Sequence, residues 1–266
     1  MYPDGHVPEL SIIIPTYNQA NLTIRCMSSI RQYTTTPYEI VWVDNASRPD
    51  QLRLVKSQAT KPRVHTKCVS FNKNTGFVKA VNAGLKQAAG KYIVILNNDT
   101  EVSYRWDQKL LQPLRTDPKV GAVGPITQSK IAWQESKAAS TRFGIKIPIF
   151  SGTIDKYSRE LDRLHSGRYV DIGDIPLAFF CVALRKSTFD LIGNMDEAFG
   201  LGFGDDDEYC FRLRANKFQN ILSIGTFVYH HHRTTFKAMG ANIDEMRRKN
   251  IKILKAKKKT YVPVVQ

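Results

Sequence analysis

The chain lacks any apolar run of the roughly 18 residues that a membrane span needs, so a transmembrane helix is not expected. Cysteine is scarce. Its four positions, Cys26, Cys68, Cys181 and Cys210, lie far apart with no CxxC spacing, which argues against a zinc site or a disulfide framework. A reducing, cytoplasmic setting fits that usage. The opening MYPDGHVPEL has neither a basic start nor an apolar stretch, so no secretory leader is expected. No internal repeat is visible. Acidic residues are in deficit, 24 against 39 Lys and Arg, giving a net charge of +15. About half of the excess falls between Arg233 and Lys259, where ten basic residues face only Asp244 and Glu245. Such a surface favours anionic partners: nucleotides, nucleic acid or lipid headgroups. No nucleic-acid-binding motif accompanies it, so nucleic acid is not the expected partner.

The 266-residue sequence has ordinary globular composition, 42% hydrophobic. Its first 125 residues alternate between two periods. LSIIIP (10–15), EIVWVD (39–44), KCVSF (67–71), YIVIL (92–96) and VGAVGP (120–125) are short apolar runs that predict strands. Residues 19–33, 50–58 and 75–89 carry helical spacing, the last closed by Gly90. WDQKLLQPLRTD adds a helix interrupted by Pro113. Strand and helix at this spacing mean βαβ units, hence an α/β fold with a mostly parallel central sheet flanked by helices. From 126 to 170 the pattern blurs into what reads as a long loop beside a site. DIPLAFFCVALRK (174–186) predicts a further strand, DDDEYCFRLRANKF a helix start, and NILSIGTFVYHHH two short strands. The tail from about 240 reads as a basic helix with Ile243, Met246, Ile253 and Leu254 on its apolar face.

In an open parallel sheet, ligands bind outside the carboxyl ends of the strands. Four successive strands end there in small polar residues: Pro15-Thr16-Tyr17-Asn18, Asp44-Asn45-Ala46-Ser47, NKNTGFVKAVNAG, and Asn97-Asn98-Asp99. Each alone reads as a turn. Together, on one edge, they suggest a ligand crevice. Farther on, Asp205 to Glu208 are four consecutive acids at a helix start, where acids are favoured in any case. Like charges so close would raise at least one pKa if buried, which suits a general base. Three histidines, His230 to His232, follow a strand; alternation puts His230 and His232 on one face and His231 on the other.

IIIPTYNQ, VDNAS, NTGFVKAVNAG, ILNNDTEV and FGDDDEYCFRLR, in that order and spacing, resemble the family 2 glycosyltransferases over residues 9–236. NND in place of a full Asp-x-Asp is similar to the rhamnosyltransferase-like branch. The resemblance implies the GT-A fold: one catalytic domain over 1–240, with a nucleotide-binding half (1–125) and an acceptor-binding half (126–240), followed by a basic tail (241–266). It implies inverting transfer of a sugar from a nucleotide-diphosphate donor, UDP- or dTDP-linked, to a glycan, lipid-linked or protein acceptor.

The roles follow residue by residue. Asp99 would hold a divalent cation, Mn²⁺ or Mg²⁺, with His230 first and His232 second in fit. One protein carboxylate suffices because the donor's phosphates supply further oxygens. Asp44 would meet the base or ribose. Pro15, Thr16, Tyr17, Asn18, Asn45, Asn74, Gly76, Phe77, Lys79, Asn82, Asn97 and Asn98 would line the donor site, with Gly76 admitting the nucleotide to the backbone. Asp206 maps to the base, with a register uncertainty of one residue. Asp205, Asp207 and Glu208 would support it, with Arg212 six residues on and Arg233 near phosphate. The competing readings are a nucleotide-sugar-binding pseudoenzyme and a basic nucleic-acid-binding protein. The basic tail is also a candidate for peripheral contact with a membrane.

Overall fold

The computed structural model describes residues 7–59, 64–231 and 243–264. Nine strands form one sheet: β1 (Leu10–Thr16), β2 (Tyr38–Asp44), β3 (His65–Ser70), β4 (Tyr92–Leu96), β5 (Thr100–Val102), β6 (Val120–Ile126), β7 (Tyr169–Asp171), β8 (Cys181–Arg185) and β9 (Gln219–His230). Their order is β3-β2-β1-β4-β8-β6-β9-β5, with β7 also on β9. The sheet is mixed. β5, β7 and β8 run against the other six, and the pairings divide evenly between parallel and antiparallel. The reversal arises because β8, from late in the chain, enters between β4 and β6.

Alternation along β1 separates two cores. Leu10, Ile12 and Ile14 face α1 (Ala20–Tyr33), α2 (Pro49–Ala59) and α4 (Trp106–Thr116), whereas Ile13 joins the layer containing α3 (Phe77–Gln87) and α6 (Ile154–His165). Each of these isoleucines is fully buried, worth roughly 1.5–3 kcal/mol of transfer free energy. Pro15 sits past Ile13, where β1 has parted from β4. Thr16 O accepts from Asn45 N on the β2 side, so the nitrogen of Pro15 points to the unpaired side and its missing N–H leaves the ladder intact.

Several sequence expectations are corrected. The 126–170 region is largely helical: α5 (Ser136–Phe143) and α6, the latter capped by Thr153 and burying Tyr157 and Leu161 four residues apart. The strand expected over 174–186 is confined to β8, and the two short strands before the histidines are one, β9, with register shifts against β6. Pro113 does not interrupt α4; the Lys109 carbonyl that lacks its helical donor there accepts instead from Tyr169 Oη at 3.2 Å. Gly90 does not cap α3, which ends at Gln87 with Ala88 as its cap; a Cβ at Gly90 would lie 2.6 Å from Ser11 N. Two further helices complete the chain's second half, α7 (Lys186–Ile192) and α8 (Asp205–Ala215). The tail helix α9 (Ile243–Thr260) packs on α8, and Ile253 and Leu254 reach the core.

Candidate active site

The carboxyl ends of β1 and β2 are in register, Thr16 opposite Asp44. Thr16 is buried, and its Oγ1 accepts from Trp42 Nε1 at 3.1 Å. Asp44 Oδ1 accepts from Ser47 N at 3.3 Å, the turn expected of an Asp there. Asn18 adopts a left-handed backbone, donates from its N–H to Ser47 Oγ, and accepts from Arg48 N at 2.8 Å, so the first two strand-end loops are laced together. Tyr17, between Thr16 and Asn18 in the first of these loops, is half-buried. Asn45 is occupied with the third loop. Its amide donates to Asn74 Oδ1 and Gly76 O, and its oxygen accepts from Thr75 N at 2.8 Å.

Other candidates turn away from the strand ends. Gly76 has φ +88°, and a Cβ there would collide with the Gly200 carbonyl; its bareness admits the loop before α8. Phe77 packs half-buried on the core. Asn82 grips Met195, donating to its carbonyl at 2.9 Å and accepting from its N–H at 3.1 Å. Lys79 lies 3.7 Å from Glu197 at an exposed position. The Asn98 amide donates to Thr23 Oγ1 at 3.0 Å, and the backbone carbonyl of Asn97 accepts from Thr100 Oγ1 at 2.7 Å, bonds that shape the turn presenting Asp99.

Asp99 and His230 meet because β5 pairs with β9, Thr100 opposite His230. Both are buried, and Asp99 Oδ1 lies 3.0 Å from His230 Nε2. The His231 N–H donates to the Asp99 carbonyl, while its ring faces Glu101 Oε1 at 2.8 Å on the opposite side. His232 and Arg233 lie outside the described residues. Phe180 stacks on the His230 ring at 5.0 Å, the two planes nearly parallel, and its carbonyl accepts from Asn97 N. Gln128 and Ser129 both donate to the His230 carbonyl. Sequence reasoning missed Phe180, Gln128 and Ser129, none of which has a motif. Among the described residues no three His, Cys, Asp or Glu side chains converge as a closed cage. A carboxylate oxygen and a ring nitrogen converging 3.0 Å apart in a buried turn suit a divalent cation that takes its other ligands from phosphate and water.

The acids begin α8. Asp205 is buried, which pushes its carboxyl up to about 6; Asp206, desolvated beside Asp205 and Asp207, is raised well above the usual range. The backbone N–H of Phe179, one residue from the phenyl ring on His230, favours the charged form of Asp206. Burial also raises Asp207, with Lys258 of the tail opposing it. Glu208 and Arg212 form a buried pair at 2.8 Å, and Arg212 donates to the carbonyls of Ile192 and Asn194. That places Arg212 under the preceding loop rather than in the crevice.

Residues 11–180 match the family model for glycosyl transferase family 2. Across 89% of its length the chain is 27% identical to the O-antigen biosynthesis protein RfbC of Myxococcus xanthus, spanning 18% of that relative. It is 26% identical to the chondroitin synthase of Escherichia coli over 88% of its length, spanning 37% of that protein. Two solved structures share the fold. GalNAc-T7, with UDP, GalNAc and Mn²⁺, has a TM-score of 0.64 at 16% identity, over 85% of this chain and 44% of that one. The mannosyltransferase PcManGT from Pyrobaculum calidifontis, with GDP-Man and Mn²⁺, has a TM-score of 0.62 at 19% identity, over 86% and 59%. The chain has the GT-A fold and belongs to glycosyl transferase family 2.

Proposed function

We propose that this chain is an inverting, metal-dependent glycosyltransferase. It moves a hexose or deoxyhexose from UDP or dTDP to an acceptor hydroxyl in surface polysaccharide or glycoconjugate synthesis. The observation that carries the reading is the Phe179–Phe180 dipeptide. The N–H of one residue favours the charged form of Asp206 and the ring of the next stacks on His230, so the dipeptide links a raised-pKa acid to the Asp99–His230 pair. Both solved structures carry Mn²⁺ and a nucleotide or nucleotide sugar, which supports donor and cation alike.

Asp206, deprotonated, accepts the proton of the acceptor hydroxyl. The freed oxygen bonds to the anomeric carbon as the bond to the diphosphate breaks, and the single displacement inverts the centre. Asp205 and Asp207 keep the basicity of Asp206 high. Asp44, with Thr16 and Tyr17 beside it, meets the base, where a carboxylate accepts from a pyrimidine N3–H. Asp99 and His230 would hold Mn²⁺ or Mg²⁺, which when bound neutralises charge on the departing diphosphate.

The acceptor is a glycan, a lipid-linked saccharide or a protein. We place the enzyme in the cytoplasm at the inner face of the membrane. Among the described residues no helix is long and apolar enough to cross it. Contact would run through Arg248, Lys252, Lys255 and Lys259, exposed in one row on the outer side of α9.

A thermal-shift screen of UDP-, dTDP- and GDP-sugars with and without Mn²⁺ tests the reading. Ligand at about 100 times its Kd adds roughly 2.7 kcal/mol, several degrees of Tm, and only with the metal present. Absence of any nucleotide-dependent shift would sink the proposal. Binding without release of diphosphate would reduce the chain to a nucleotide-sugar-binding module.

A further inference from the structure

The loop Phe199–Gly204 connects the donor side of the crevice to Asp205, and its backbone is unusual. Gly200, Gly202, Phe203 and Gly204 all have positive φ, Phe203 at +69°. A non-glycine residue there costs on the order of 1–3 kcal/mol and persists only where its surroundings hold it. On one side the Gly200 carbonyl fits against Gly76 of the donor loop. On the other side lies the tail helix. Asn250, buried in α9, donates from its single Nδ2 to three carbonyls of the loop: Phe199 at 3.1 Å, Gly202 at 2.8 Å and Phe203 at 3.0 Å. One turn earlier, the Arg247 guanidinium covers the Phe203 ring at 4.9 Å. Farther along α9, Lys257 pairs with Asp196.

We infer that Asn250 is a positioning residue for catalysis: the tail helix, through its amide, fixes the strained loop that sets Asp205 and Asp206 against the donor site. The inference rests on the transferase reading above. The physical need is plain. A loop with this backbone has several alternatives of similar energy once its carbonyls are released to water. A displacement of about 1 Å at the acids is enough to cost about a hundredfold in rate. The amide makes no contact with Asp44 or Asp99 among the described residues, so donor binding does not depend on it.

The test compares Asn250→Ala with Leu254→Ala, which thins the same helix's packing and removes no side-chain hydrogen bond to the loop. Turnover is followed as diphosphate released from the donor that binds, and loop order as amide exchange of residues 200–206. Asn250→Ala is expected to lower kcat about tenfold or more with donor KM within about twofold. Exchange in the loop should rise about tenfold while the sheet stays protected. Leu254→Ala should lower Tm and leave loop exchange and kcat close to the parent. Unchanged kcat or unchanged loop exchange in Asn250→Ala would overturn the inference. So would a parallel fall of Tm, kcat and KM in both variants. If Asn250→Ala does not fold, Arg247→Ala at the exposed end of the clamp carries the same two readouts. Asp206→Asn separates the two ideas. If it still turns over donor, the assignment of the base fails, while loop exchange still judges Asn250.

Discussion

Asp206 shows how a destabilised side chain becomes a useful one. An aspartate whose pKa is 3.8 in the unfolded chain and higher in the fold favours folding only while protonated. For Asp205, raised to about 6, that contribution is complete below about pH 4 and lost as pH rises to about 6. At neutral pH the acids are therefore a cost to the fold. Asp206→Asn is expected to raise Tm by a few degrees at pH 7 and by nothing at pH 4, read by calorimetry at both. The same change should lower kcat by roughly 10²–10⁴ with nucleotide affinity unchanged. In the parent enzyme turnover should rise with pH through the raised pKa, since the base must be ionised. That Asp44 ends a strand, Asp99 follows one and Asp206 lies at a helix start is legible in the sequence, because an acid after an apolar run or before a helical one is visible there. Asn45, Asn82 and Arg212 stand in the same motifs, yet their hydrogen bonds hold neighbouring loops. Sequence shows that a polar side chain is present, not which way it donates.

At the scale of elements, the site is a set of loops fastened to each other. Gly76 begins α3 where the Gly200 carbonyl presses in, so Gly76→Ala has both a forbidden φ and no room. It is expected to cost about 1–3 kcal/mol in urea unfolding and to weaken nucleotide-dependent stabilisation. A variant with parental stability and affinity would show that the two loops separate freely. The strands and helices of the first 125 residues were legible because their apolar periods are clean. α6 was not, since Tyr157 and Leu161 are separated by charged residues that dilute the stripe. β9 was split in two because Gly225 reads as a breaker, although here its lack of a Cβ admits the His165 carbonyl.

Across the whole molecule, the excess charge is organised by the tail helix. Its inner side carries Asn250, and its outer side carries Arg248, Lys252, Lys255 and Lys259, none with an acidic side-chain partner among the described residues. Changing all four to alanine should weaken sedimentation with phosphatidylserine vesicles by on the order of a hundredfold, at about 1 kcal/mol per cation before screening. Donor binding should be unaffected. Equal sedimentation of parent and variant would remove the membrane from the proposal. The mixed sheet has a consequence of its own for biosynthesis. β4, the run YIVIL, is flanked by β1 on one side and β8 on the other. On a ribosome adding roughly 5–20 residues per second, the partner at Cys181–Arg185 emerges on the order of ten seconds after β4 does. For that interval a short, uncharged β-branched strand shows a bare edge to solvent, the kind of segment that recruits copies of itself or a chaperone. The strand that carries the chain to Asp99 is thus also its most exposed point during synthesis.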